Sequence, residues 1–143
     1  MANTTFTDEA KKRIKQAIVE AETNTSGEIR VHIEAKCSGD VMDRAAFIFE
    51  KLNMHKTALR NGVLFYVATE TKKFAILGDG GINAKVEADF WDKTKDLVIE
   101  QFKKGDFTEG LVQGILQAGK SLKTHFPYQS DDKNELSDEI SFG

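Results

Sequence analysis

Arg60-Asn61-Gly62-Val63-Leu64-Phe65-Tyr66-Val67-Ala68-Thr69-Glu70-Thr71-Lys72-Lys73-Phe74-Ala75-Ile76-Leu77-Gly78-Asp79-Gly80-Gly81 is the stretch on which the fold turns. The apolar run from Val63 to Ala68 is too short to span a bilayer. Its β-branched and aromatic content predicts a strand covered on both faces, in the middle of a sheet. Phe74 to Leu77 follow after only Thr69 to Lys73, which predicts an antiparallel hairpin partner. That second strand stops abruptly at Gly78-Asp79-Gly80-Gly81, and the glycine-rich exit is the first place to look for function.

Upstream, Thr7 opens a helix with Asp8 and Glu9 in its first turn, where carboxylates suit the positive end of the helix dipole. Ala10, Ile14, Ala17, Ile18 and Ala21 form its apolar stripe. Asn24-Thr25-Ser26-Gly27 breaks the helix. From Glu28 to Lys36, Ile29, Val31, Ile33 and Ala35 alternate with Arg30, His32, Glu34 and Lys36, the period of a half-exposed strand. Asp40 to Met54 reads as a second helix, with Ala45, Ile48, Phe49 and Leu52 inward. Strand, helix, strand predicts a parallel pair joined by a right-handed crossover.

Downstream, a turn around Ile82 to Val86 leads to a helix carrying Phe90, Trp91, Thr94, Leu97, Val98 and Phe102, stopped by Lys103-Lys104-Gly105. Asp106 caps a last helix with Phe107, Leu111, Ile115, Ala118 and Leu122 on one side, ending near Phe126-Pro127. The order α-β-α-β-β-α-α belongs to the α/β class, as a three-layer sandwich or a sheet covered by helices.

The 143 residues make one domain of ordinary size, with 40% hydrophobic and 30% charged residues and a single proline. One cysteine, Cys37, forms no internal disulfide and is compatible with a reducing compartment. The N-terminal residues lack the apolar core of a signal peptide, and no stretch is long enough for membrane insertion, so the reading places the chain in the cytoplasm. The formal net charge is −3, of which −4 falls on Asp131 to Gly143, leaving the body at +1. Its lysines are interleaved with acids, which argues against nucleic acid as a partner. The expected organisation is a single domain over 1–127 and an acidic, flexible tail over 128–143, although Leu136, Ile140 and Phe142 could dock it.

Ser26-Gly27-Glu28-Ile29-Arg30-Val31, Arg60-Asn61-Gly62-Val63-Leu64, Gly78 to Ile82, Phe90-Trp91, and Phe102-Lys103-Lys104-Gly105-Asp106-Phe107 with Gly110-Leu111 and Gly114-Ile115 resemble the motifs of the TPM-domain family. This is the family known from a thylakoid-lumen protein of photosystem repair. The resemblance spans about Phe6 to Phe126. It implies a three-layer α/β/α sandwich with a mixed central sheet, binding of divalent metal, especially calcium, in some members, and a disputed phosphatase activity. Many members carry an export signal or membrane anchor and read Gly-Tyr-Gly-Leu-Glu-Gly after the hairpin; here the residues are Gly78-Asp79-Gly80-Gly81-Ile82-Asn83.

The topology makes a geometric prediction. The start of the first strand, the start of the second and the end of the third share one edge of the sheet, so Glu28, Asn61 and Asp79 should converge. The following helix brings Asp89 and Asp92 toward that edge. Carboxylates with glycine carbonyls suit calcium, which takes about six to eight oxygen ligands. The alternative is that Glu28 and Asp79 pair with Arg60 or cap backbone amides, and that Asp89 and Asp92 are first-turn acids. The spacing does not match the twelve-residue calcium loop.

Phosphatase chemistry needs a nucleophile or a metal-activated water. Arg44 follows Cys37 one residue too late for the cysteine phosphatase loop, no Asp-x-Asp pair occurs, and His32, His55 and His125 have no spaced partners. The glycine loop lacks the Lys-Ser/Thr of a phosphate cradle and the third glycine of a dinucleotide site. The leading expectation is a monomeric, divalent-metal-binding domain, calcium being the ion, with metal ligands Asp79, Glu28, Asp89 and Asp92 and a regulatory role toward an unknown protein partner. The alternatives are a metal-assisted, acid phosphatase-like phosphomonoesterase and a metal-independent adaptor.

Overall fold

A computed structural model of the chain describes residues 6–128 and 136–143. Helix α1 (Asp8–Glu22) starts at Thr7, whose hydroxyl accepts from the Ala10 amide at 3.0 Å, and buries Ile14, Ala17, Ile18 and Ala21. Strand β1 (Glu28–Glu34) leads to α2 (Val41–Lys51), where the Asp40 carboxylate accepts from the amides of Met42 and Asp43. Strands β2 (Gly62–Ala68) and β3 (Lys73–Gly78) form the hairpin, and every residue of β2 is buried. The one-turn α3 (Gly80–Asn83), α4 (Asp92–Lys103), α5 (Phe107–Lys123) and a two-residue β4 (Ser141–Phe142) complete the order. Phe90 and Trp91 precede α4 instead of opening it, and Trp91 occupies its N-cap without a side-chain cap bond.

The sheet runs β3-β2-β1-β4. β1 and β2 are parallel with Glu28 opposite Gly62, β2 and β3 antiparallel with Val63 opposite Gly78, and β4 lies parallel to β1 at His32 and Ile33. The mixed sheet of the expected α/β/α sandwich is therefore present. Ile29, Val31, Ile33, Val63, Phe65, Val67 and Ile76 face α1, α4 and α5. Leu64, Tyr66, Ala68 and Ala75 face α2 with Ile48, Phe49 and Met54. Each large apolar side chain so buried contributes about 1.5–3 kcal/mol.

Two features depart from the sequence reading. The alternation of β1 predicts a solvated polar face, yet Glu28, His32 and Glu34 are each 4% exposed. They lie beneath α2 and the C-terminal segment, so their polarity is met by partners and not by water. Residues 136–143, read as part of a flexible tail, return to the sheet. Leu136 is buried, Ile140 packs against the larger core, and the Gly143 amide donates to the Ile33 carbonyl at 2.9 Å. The intervening part of that tail, 129–135, lies outside the described residues.

Candidate functional site

Glu28, Asn61 and Asp79 do meet at one rim, because parallel β1 and β2 begin where β3 ends. The Asn61 carbonyl accepts from the Glu28 amide at 3.2 Å, the Gly62 carbonyl accepts from the Asp79 amide at 2.9 Å, and the Asn61 side-chain amide donates to the Ser26 carbonyl at 3.1 Å. Gly81 packs so closely beneath Leu59 and Arg60 that a Cβ would overlap both carbonyls. Its amide donates to the Arg60 carbonyl at 2.8 Å, and Arg60 takes a left-handed φ of 51° to present it.

The carboxylates at this rim already have partners. Asp79 is 6% exposed, and it accepts from Arg60 Nε and Nη2, each at 2.8 Å, and from the Gly80 amide at 2.7 Å. The Arg60 side chain is 55% exposed. A buried anion is thus balanced by a cation anchored at the surface, a bidentate pair of good geometry. Glu28 Oε1 accepts from the Leu136 amide at 2.6 Å. Asp89 and Asp92 are exposed, and Asp92 is the first residue of α4. Among the described residues no three His, Cys, Asp or Glu side chains gather into a ligand set for a metal ion. The oxygen chemistry suits a hard cation in kind, but the positive charge at Asp79 is supplied by Arg60.

The sequence reading missed a second acidic pair beside Glu28. Glu22, at the end of α1, accepts from the Ile29 amide at 2.9 Å. Burial first, then the neighbouring Asp138 carboxyl, pushes Glu22 up to about 9, and the charge of Glu28 adds to the rise. Asp138 Oδ1 is buried without a hydrogen-bond donor unless a proton on Glu22 provides one. Neither residue lies in a motif. They meet only because the C-terminal segment folds back across the end of α1.

At the opposite end of β1, a polar network occupies the α2 face. Arg44 Nε and Nη2 donate to Glu34 at 2.8 and 2.9 Å, the Tyr66 hydroxyl donates to Glu34 Oε2, and His32 Nε2 lies 3.2 Å from Glu34 Oε1. His32 Nδ1 reaches Ser141 Oγ at 2.9 Å. Burial pushes Glu34 upward, but the hydrogen bonds from Arg44, Tyr66 and His32 prevail and hold it down at about 2. Burial lowers His32 and raises Tyr66. The network holds an ionised carboxylate with its donors satisfied, and it locks α2 to β1 and β2.

Cys37 and Arg44 line a cleft of about 370 Å³ above the start of α2. The Cys37 thiol is 4% exposed and lies 3.6 Å from the Gly39 carbonyl, while the Arg44 guanidinium is spent on Glu34. The pair is not arranged to attack and hold a phosphate.

The family profile of the TPM domain matches residues 2–121. Comparison with the curated proteins found no significant match. Among solved structures, the NMR structure of BA42 protein from the psychrophilic bacterium Bizionia argentinensis is similar at 52% identity and a TM-score of 0.92, covering 96% of this chain and 95% of that one. The N-terminal domain of a P. gingivalis protein has a TM-score of 0.69 at 14% identity, covering 87% of this chain and 82% of that one. The N-terminal domain of the cg2496 protein from Corynebacterium glutamicum has 0.66 at 12%, with 92% and 84% covered, and these two speak to the fold alone. The hairpin, its glycine exit, the rim that gathers Glu28, Asn61 and Asp79, and a match over most of the length lead to one conclusion: the chain belongs to the TPM-domain family.

Proposed function

We propose that this domain is a non-catalytic sensor of a divalent cation, calcium in type, which enters the rim at Asp79 by displacing Arg60. The observation that carries this reading is the mismatch in burial between Asp79 at 6% and its counter-ion Arg60 at 55%. The exposed arginine is free to swing into water, but its departure alone would strand a buried carboxylate at a cost of about 3–5 kcal/mol, so it leaves only as another cation takes its place. Removing the arginine would leave the buried carboxylate of Asp79, which is also the N-cap of α3, two residues before Gly81, over which the carbonyls of Leu59 and Arg60 close. Calcium accepts carboxylate, carbonyl and water oxygens together, and the remaining positions would be filled by the latter two. Glu28 stands at the same rim and holds the Leu136 amide, so a cation competing for Glu28 would loosen the C-terminal segment and alter the surface offered to a protein partner. Asp89 and Asp92 are outer acids in this scheme and raise the local cation concentration.

Calcium titration followed by amide NMR shifts and calorimetry tests it. Shifts are expected at Arg60, Asp79 and Leu136 in the native chain, with binding weakened at least about tenfold in Asp79→Asn and strengthened several-fold in Arg60→Ala, which removes the competitor. Absence of heat and shifts at millimolar calcium in both the native chain and Arg60→Ala would overturn the proposal.

A further inference from the structure

A cleft of about 660 Å³ opens at the opposite end of the sheet, between the β2–β3 turn and the end of α4. Its walls are Phe74, Phe102 and Phe107, all half-buried, and Ile99, which is 41% exposed. The rings stand edge to face or tilted: Phe102 lies 5.5 Å from Phe74 at 77° and 4.8 Å from Phe107 at 57°. Gly110 lets Phe102 lie against α5, since a Cβ there would come within 2.7 Å of the ring. Lys72 and Lys103 line the same cleft, approaching from different elements, and Lys72 adopts a left-handed φ of 56° in its turn. Among the described residues neither lysine has an ion pair, a state they share with every described lysine except Lys15 and Lys104.

Its volume lies within the range of about 300–1,000 Å³ common to ligand pockets. The crossed rings present both faces and edges to the cleft, an irregular apolar wall that a flexible saturated chain can follow. Two cations without carboxylate partners at an aromatic cleft complement an anion carried on an apolar body. We propose that this cleft binds a fatty-acid-type carboxylate, with the chain among Phe74, Phe102 and Phe107 and the headgroup between Lys72 and Lys103. The site is separate from the Asp79 rim, because β3 runs from one to the other.

The test uses the full chain and laurate below its micellar concentration, read by displacement of the fluorescent probe anilinonaphthalene sulfonate and by NMR shifts of the Ile99 methyls. The native chain is expected to bind one laurate and to disfavour dodecyltrimethylammonium. The double variant Lys72→Glu/Lys103→Glu changes only exposed side chains; because Lys103 sits in the last turn of α4, it should lower the melting temperature by only a few degrees and leave the fold intact. It should bind laurate at least about tenfold more weakly and prefer the cationic amphiphile. No laurate-dependent shift at Ile99, or equal laurate affinity in the double variant, would overturn the proposal. So would a concentration-dependent dimer in sedimentation that Ile99→Glu abolishes, since the cleft would then be covered by a second copy. None of these results bears on calcium at Asp79.

Discussion

Burial and the adjacent Asp138 carboxyl hold Glu22 at about 9 in the folded chain, against 4.5 for the free group. Between those values the folded protein keeps a proton that the unfolded chain has released. The stabilisation from a raised carboxyl is fully present below the unfolded value and is lost as pH rises toward the folded one. Glu22→Gln removes this dependence and keeps an uncharged donor for Asp138. In denaturant titrations at pH 5 and pH 8 the variant should gain on the native chain as pH rises, by up to about 4 kcal/mol; parallel curves would show that Glu22 is ionised in the fold. Glu34 works in the other direction: held down at about 2, it stabilises above its unfolded value and loses that contribution as pH falls through the folded one. The rim residues Glu28, Asn61 and Asp79 were legible in the sequence because strand directions alone bring them together. Glu22 with Asp138 was not, because their meeting depends on where a segment far along the chain lies down. His32 and Glu34 were visible but misjudged: alternation reports which residues share a face, not whether something covers it.

Among the elements, α5 is the one whose packing depends most on what its side chains lack. A Cβ at Gly114 would overlap Val98 of α4, and one at Gly119 would lie 2.9 Å from both the Cβ and the carbonyl oxygen of Ala21 in α1. The helix therefore lies close against both neighbours. Gly119→Ala should destabilise by about 1–3 kcal/mol despite the better helix propensity of alanine, because backbone must shift to admit the methyl group. Gly39→Ala, with nothing within 4 Å, is the control and should stay within about 0.5 kcal/mol of the native chain in chemical denaturation. Equal effects at the two sites would refute the close-packing argument. The stripe Phe107, Leu111, Ile115, Ala118 and Leu122 made α5 readable from its period. The period does not say which neighbour each glycine admits, since helix crossings are set by the tertiary arrangement. The start of α4 slipped for a related reason: Phe90 and Trp91 keep helical spacing with Thr94 and Val98, but they pack edge to face 4.7 Å apart in the turn before the helix.

For the molecule as a whole, the C-terminal segment joins features at both ends of β1. Leu136 donates to Glu28 near the Asp79 rim, Asp138 meets Glu22, Lys15 pairs with Glu139, and Ser141 and Gly143 reach His32 and Ile33. Composition argued for a free tail because the stretch from Asp131 is acidic, yet two packed apolar residues, Leu136 and Ile140, together with one row of strand bonds and the pairings of Glu28 and Lys15 hold 136–143 to the body. Shortening the chain to end at Tyr128 would expose Leu136's site, remove the Ser141 partner of His32 and open the β1 edge. The loss of one buried leucine and a few hydrogen bonds predicts a destabilisation of about 2–4 kcal/mol. His32 provides the local readout. Burial lowers its pKa in the intact fold, so admitting water should move its NMR titration upward while amide exchange along β1 accelerates. If melting temperature and His32 titration both stayed at their native values, the segment would not be holding the sheet edge. The coupling proposed between the cation rim and the partner surface would then lose its physical link.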